Sequence, residues 1–233
     1  MASVAGEYLE AVASFASLEE LVRRAAGGVS LVVSLDGRLL PLASLLGRST
    51  GGTPVVLTAA RPGVERALRE AARGRYLVVR GEMLAATPRS VFVYLARRGL
   101  VEPSLAVAEV AAAGAPSVAP NTSVKKAVSL LEESGAIAVG VRSRGRISKV
   151  LTVVDFAGYA LEAGLSRRDL LLDPTPVSRV DPVVVGDPAD LRSGFLDGVS
   201  RYSMAVVELG CEVLVDESSL RKYLAARVVT GRK

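Results

Sequence analysis

Between Pro116 and Ala163 the chain sets out a short apolar segment, an amphipathic helix, two strands around a basic turn, and a second helix. Ser123 is placed to cap the first helix. Val124, Ala127, Val128 and Leu131 then recur at spacings of three and four, which gives that helix one apolar face over 124–134. The segments 136–141 and 147–153 are short, rich in Val and Ile, and bounded by Gly and Ser, so they read as buried strands. Gly145 stands at the apex between them, where a tight hairpin needs a residue free to take positive φ. Thr152 and Asp155 then fall where the last strand gives way to a helix over 156–163. A carboxylate at that position can cap the helix start or grip a ligand hydroxyl. An order of β-α-β-β-α leaves one sheet face bare, so a chain built this way must pair its units to bury it.

The run from Gly145 through Ile147, Val150 and Leu151 to Thr152-x-x-Asp155 resembles a CBS domain, a β-α-β-β-α module that works in pairs. Lys149 departs from the family pattern, standing where a second glycine is usual. The resemblance implies that an adenine nucleotide sits in the cleft of a pair. Asp155 would take the ribose hydroxyls, Thr152 would help hold phosphate, and the backbone at Ser117 and Val118 would meet the base. The other reading of Asp155, as a cap for the helix at Phe156, stands beside this one.

The same order of elements recurs. Ser17-x-x-Glu20 forms a capping box for a helix over 18–26, followed by strands at 30–34 and 38–42 and a short helix at 43–47. A second unit runs through a strand at 55–58, a helix at 63–73, strands at 76–79 and 83–86 and a helix at 90–98. A fourth opens at Asp187 and Pro188, with a helix over 191–199, strands at 204–208 and 212–215, and a helix at 218–227. The expected fold is therefore α/β (α+β): tandem CBS modules arranged as two pairs, with a divergent first pair over 1–112 and a second over 113–233. The Ala- and Gly-rich segment 106–115 is the joint between them. The Ser/Thr-x-x-Asp pattern is complete only in the third unit. It lands on Ser44 and Gly47 in the first, Thr87 and Ser90 in the second, and near Glu217 and Leu220 in the fourth, with Asp216 out of register.

Charge is uneven. Among 29 basic and 24 acidic residues, the segment 61–98 holds nine arginines against three glutamates, and the net charge of the chain is +5. Arg66, Arg69 and Arg73 share one helical face. Arg75, Arg97 and Arg98 lie nearby in sequence; Arg142, Arg144, Arg146 and Lys149 crowd the third unit's hairpin; Arg232 and Lys233 close the chain. Arg matches phosphate oxygens with a planar fork and keeps its charge, which suits RNA. The bland alternative is a solvated, Arg-rich surface. Scarce amides, with no Gln and Asn121 the sole Asn, suggest a heat-adapted source.

Catalysis is disfavoured. The chain has no His, so the commonest general base is missing, and its one cysteine, Cys211, reads as a small core residue. Gly47–Thr53 lacks the Lys-Ser/Thr ending of a phosphate loop, and Ser123-x-x-Lys126 sits where a helix starts. No apolar run is long enough to span a membrane and no basic leader precedes one, so the cytoplasm is the expected compartment. Two functional classes remain. By resemblance to archaeal stand-alone CBS proteins that include ribosome-associated dormancy factors, the chain would dock basic faces on ribosomal RNA or ribosomal subunits and hold translation off. Alternatively it is a sensor of AMP, ADP, ATP or S-adenosylmethionine that regulates a partner protein. Neither requires a cofactor beyond that nucleotide, and a homodimer through the CBS pairs fits both.

Overall fold

In the computed structural model, residues 8–28, 30–46 and 55–230 are described. The chain begins with two short strands, β1 (Glu10–Ala11) and β2 (Ala13–Phe15), which join different sheets. Helix α1 (Leu18–Arg24) follows, capped by the Ser17 hydroxyl, which accepts from Glu20 N. Strands β3 (Val32–Leu35) and β4 (Arg38–Pro41) form a hairpin, and a 3-10 turn at Leu42–Ser44 ends the first repeat. The second repeat contains β5 (Val55–Ala59), α2 (Val64–Ala72), β6 (Arg75–Val79), β7 (Leu84–Ala86) and α3 (Pro88–Arg97). Helix α4 (Pro103–Ala112) takes up most of the Ala-rich segment and leads from the second repeat to the third.

The third repeat is β8 (Ser117–Val118), α5 (Val124–Ser134), β9 (Ala138–Ser143), β10 (Arg146–Thr152) and α6 (Val153–Glu162). A short helix, α7 (Arg167–Leu170), leads through 3-10 turns at Val177–Arg179 and Pro188–Leu191 into the fourth repeat. That repeat is α8 (Phe195–Tyr202), β11 (Ala205–Glu208), β12 (Glu212–Val215) and α9 (Glu217–Thr230).

In the first three repeats the leading strand runs parallel to the next (β2 to β3, β5 to β6, β8 to β9), and an antiparallel hairpin follows. The fourth keeps only the hairpin. The segment over residues 10–15 crosses from the second repeat's sheet, where β1 pairs with β7, to the first repeat's, where β2 pairs with β3. It thereby staples the two together. Between halves the contact is helical: α1 packs on α6, while α2 and α3 pack on α9.

Apolar burial follows these contacts. One cluster joins Leu21, Leu31 and Val33 of the first repeat to Val128, Phe156 and Ala157 of the third. The other joins Ala67, Ala71 and Phe92 of the second to Leu220 and Tyr223 of the fourth. Phe92 meets both Phe195 and Tyr223 edge to face, with centroids 5.8 and 5.7 Å apart. Neither cluster is confined to one half of the chain.

Two expectations are corrected. The helix read over residues 191–199 is instead a 3-10 turn followed, after Gly194, by α8. The Ser193 hydroxyl donates to Asp190 O (2.9 Å), a local bond that competes with continuing the helix. Cys211 is exposed, not in the core, because it occupies the turn between β11 and β12, where alternation puts no residue inside. Gly47–Thr53 lies outside the described residues. Among the described residues no helix is long and apolar enough to cross a membrane.

Candidate functional site

Thr152 and Asp155 are brought together at the start of α6, as their spacing predicts. Thr152 is the N-cap and Asp155 the third helical residue, in a reciprocal capping box. Asp155 Oδ2 accepts from Thr152 N (2.5 Å) and from Thr152 Oγ1 (2.7 Å). Its other oxygen, Oδ1, accepts from Val183 N (2.5 Å) and Val184 N (3.1 Å), which lie on the segment leading into the fourth repeat. The residue is 1% exposed. Burial pushes its carboxyl above the ordinary aspartate value, against the pull of the donors on Thr152, Val183 and Val184. Asp155 is thus both a cap and an inter-repeat clamp.

The cavity beside it measures about 40 Å³ and is lined by Asp155, Gly158, Tyr159, Glu162, Arg179, Asp181 and Val183. One liquid water occupies about 30 Å³, so this space suits a water molecule. Its charged lining is three carboxylates against the single Arg179, the wrong balance for a phosphate. Ser117 and Val118 sit on β8 opposite Gly140 and Val141 and do not line this cavity.

The same capping position recurs. Thr87 and Ser90 form a capping box at the start of α3. In the fourth repeat the pair is Asp216 and Ser219, not Glu217 and Leu220, since Asp216 Oδ1 accepts from Ser218 N (3.0 Å) and Ser219 N (3.3 Å). Asp216 Oδ2 accepts from Ile137 N (2.8 Å), just before β9. Asp155 of the third repeat therefore holds the chain entering the fourth, and Asp216 of the fourth holds the chain entering a strand of the third. Sequence reasoning missed this reciprocity because it aligned the pattern on Glu217, one residue too far along. In the first repeat the Ser44 hydroxyl donates to Pro41 O (2.7 Å) and closes a 3-10 turn.

Lys149, the departure from the family pattern, fills space that a glycine would leave. Its Nζ donates to Ser178 O (3.0 Å) and Val180 O (2.9 Å). Glu212 accepts from Ile147 N (2.5 Å) and is paired with Arg192, whose Nε lies 2.9 Å away. The hydrogen bond from Arg192 holds the Glu212 carboxyl below the usual glutamate range despite its burial. The pairing face of the third and fourth repeats is thus occupied by the chain's own side chains.

The basic residues divide accordingly. Arg142 is tied down, its Nη2 donating to Glu212 O (2.6 Å), as is Lys149. Arg73 and Arg75 both lie beside Glu70, at 3.5 and 3.4 Å. Arg98 stacks over the Tyr94 ring, 5.6 Å from its centroid. Arg66, Arg69, Arg97, Arg144 and Arg146 are exposed. Arg232 and Lys233 lie outside the described residues.

A larger cleft of about 350 Å³ opens in the first half, between the β3–β4 hairpin and the sheet of the second repeat. Ser34, Gly37 and Leu39 form one wall, and Thr58, Val78, Val79 and the turn from Arg80 to Met83 form the other. Apolar walls with a few convergent polar groups, at a volume above about 300 Å³, are typical of small-molecule sites. A depression of similar size, about 360 Å³, runs along α6 and α7, but Asp169 and Asp173 rim it and would repel an anion.

No family model matches the chain, and no curated protein does. Among solved structures it is similar to protein MJ1225 of Methanocaldococcus jannaschii, which has been proposed as an archaeal homologue of γ-AMPK. The TM-score is 0.50 at 10% identity, over 92% of this chain and 95% of that one. The fold is that of tandem CBS modules. At so low an identity the likeness concerns the path of the backbone, and the chemistry of the clefts has to be read from this chain's own residues.

Proposed function

We propose that this protein is a non-catalytic regulatory module that binds an adenine nucleotide in the cleft between its first and second repeats. The observation that carries the reading is the contrast in free volume: about 350 Å³ there against about 40 Å³ beside Asp155. Val78, Val79 and Leu39 offer apolar walls to a base, the Ser34 and Thr58 hydroxyls offer polar contacts, and Arg80 supplies a positive charge for phosphate. The fold shared with a proposed γ-AMPK homologue supports the ligand class.

Thermal melting with AMP, ADP, ATP and S-adenosylmethionine tests it. A ligand at one hundred times its Kd is expected to stabilise the fold by about 2.7 kcal/mol. Arg80→Ala is expected to weaken binding roughly tenfold while leaving the unliganded melting temperature in place, because the residue is exposed. No shift with any of the four ligands would end the nucleotide reading.

A second reading, docking on ribosomal or other RNA, draws support from Arg66 and Arg69. Both project from the outer face of α2, opposite the buried Ala67 and Ala71, and no ion pair engages either among the described residues. Co-sedimentation with ribosomal subunits should fall steeply between 50 and 200 mM salt, and the double change Arg66→Ala, Arg69→Ala should reduce the salt slope by roughly two. Absence of co-sedimentation even at low salt excludes this reading.

A further inference from the structure

Glu217 opens α9 and is fully buried, and among the described residues no backbone N–H and no cation hydrogen-bonds either of its carboxylate oxygens; the polar group turned toward it is the Tyr76 phenol. Such a group is rare, because a buried charge without a partner costs several kcal/mol. Its surroundings explain neither a structural cap nor an ion pair. From β6 of the second repeat, the wholly buried Tyr76 faces it. From β1 comes Glu10, whose own charge is taken by Arg89 of α3 at 2.6 Å. Just before its helix stands Asp216, already committed to the clamp on Ile137, and on the helix stands Arg221, whose guanidinium lies against Gly74 and has partners of its own. Among the described residues, Arg221, Asp216 and the Arg89–Glu10 pair therefore surround this carboxyl at the seam where α2 and α3 of the second repeat pack on α9 of the fourth.

We propose that Glu217 is a proton-sensing residue of this seam: the second and fourth repeats close on its neutral acid, and its ionisation loosens them. Burial is the main cause that raises its carboxyl from 4.5 to about 7; Asp216 and Glu10 add to the rise, and Arg221 and Tyr76 oppose it. The folded state thus holds a proton that the unfolded chain releases. The stabilisation is complete below pH 4.5 and is lost as the pH rises to about 7, above which the profile is flat. A module of this kind would couple the relative placement of its repeats to pH changes of about one unit around neutrality, independently of any ligand in the first cleft.

Urea unfolding of the full chain between pH 5 and 8, with Glu217→Gln beside the wild type, tests the proposal. The wild-type unfolding constant is expected to rise on the order of 50-fold across that range. The glutamine variant, which cannot ionise, is expected to lose most of that rise whatever its stability at any single pH. Equal slopes for the two proteins would overturn the idea. Should the variant fail to fold, hydrogen exchange of the wild type, corrected for intrinsic rates, gives a second reading at β6 and the first turn of α9. Protection there should fall at least tenfold between pH 5.5 and 7.5, and unchanged protection would equally refute the proposal.

Discussion

Asp155→Ala is expected to lower the stability of the protein by about 4 kcal/mol, read as a fall in the urea midpoint with an unchanged slope. The carboxylate accepts from Thr152 N, Thr152 Oγ1, Val183 N and Val184 N, and its residue is 1% exposed. Alanine leaves these donors buried without an acceptor, at about 1–3 kcal/mol for each that water cannot reach. The effect divides between two places: fraying at the start of α6 and release of the segment at Val183 and Val184. Asp155→Asn separates them, because its amide oxygen can keep one set of donors while its NH₂ opposes the other. About half the loss is expected from that change. An alanine variant as stable as the wild type would show that the clamp does not hold the two repeats together. The same expectation affects the ligand test. Loss of a nucleotide response in Asp155→Ala would report a loosened fold, so Arg80→Ala is the better probe of the cleft.

How far this could be read from sequence depends on the range of the interaction. Helix α5 was legible to the residue, because its cap at Ser123 and its apolar spacing are both local. The Thr152-x-x-Asp155 pair was legible as the start of a helix, but with Asp155 as the cap of a helix at Phe156; Thr152 is the cap, and Asp155 is the third residue of a helix that begins at Val153. The second pair of partners of Asp155 was not legible, since Val183 and Val184 are 28 and 29 residues away. Lys149 was visible as a departure from a pattern, but its acceptors on Ser178 and Val180 were not. Cys211 was misread because its burial depends on where the β11–β12 turn falls, and a shift of one or two residues moves it from inside to outside. The seam at Glu217 gave no local signal: the residue type suits the first turn of any helix, and only the packing of α9 on the second repeat buries it.

The second large effect is expected at Gly28, where the first repeat passes the end of α8 in the fourth. Its φ is +122°, a region that side chains other than glycine's rarely enter, and a Cβ there would lie 2.4 Å from Arg201 O. That atom is backbone and cannot swing aside. It belongs to the last turn of α8, whose C-cap Ser203 already holds a left-handed conformation with its N–H on Val199 O. Gly27 N also donates to Val184 O (3.2 Å), so a shift of this loop is transmitted to the segment that Asp155 clamps. Gly28→Ala is therefore expected to cost about 3–5 kcal/mol, combining backbone strain with separation of the first and fourth repeats. Gly37→Ala is the matched control. It too has positive φ, +72°, but nothing lies within 4 Å of the added carbon. Strain alone should cost it about 1 kcal/mol. The difference between the two variants measures how tightly the repeats are joined at this point. If both lose the same small amount in urea, the first and fourth repeats are not in firm contact, and the helical packing that draws both halves into shared apolar clusters does not extend to this edge.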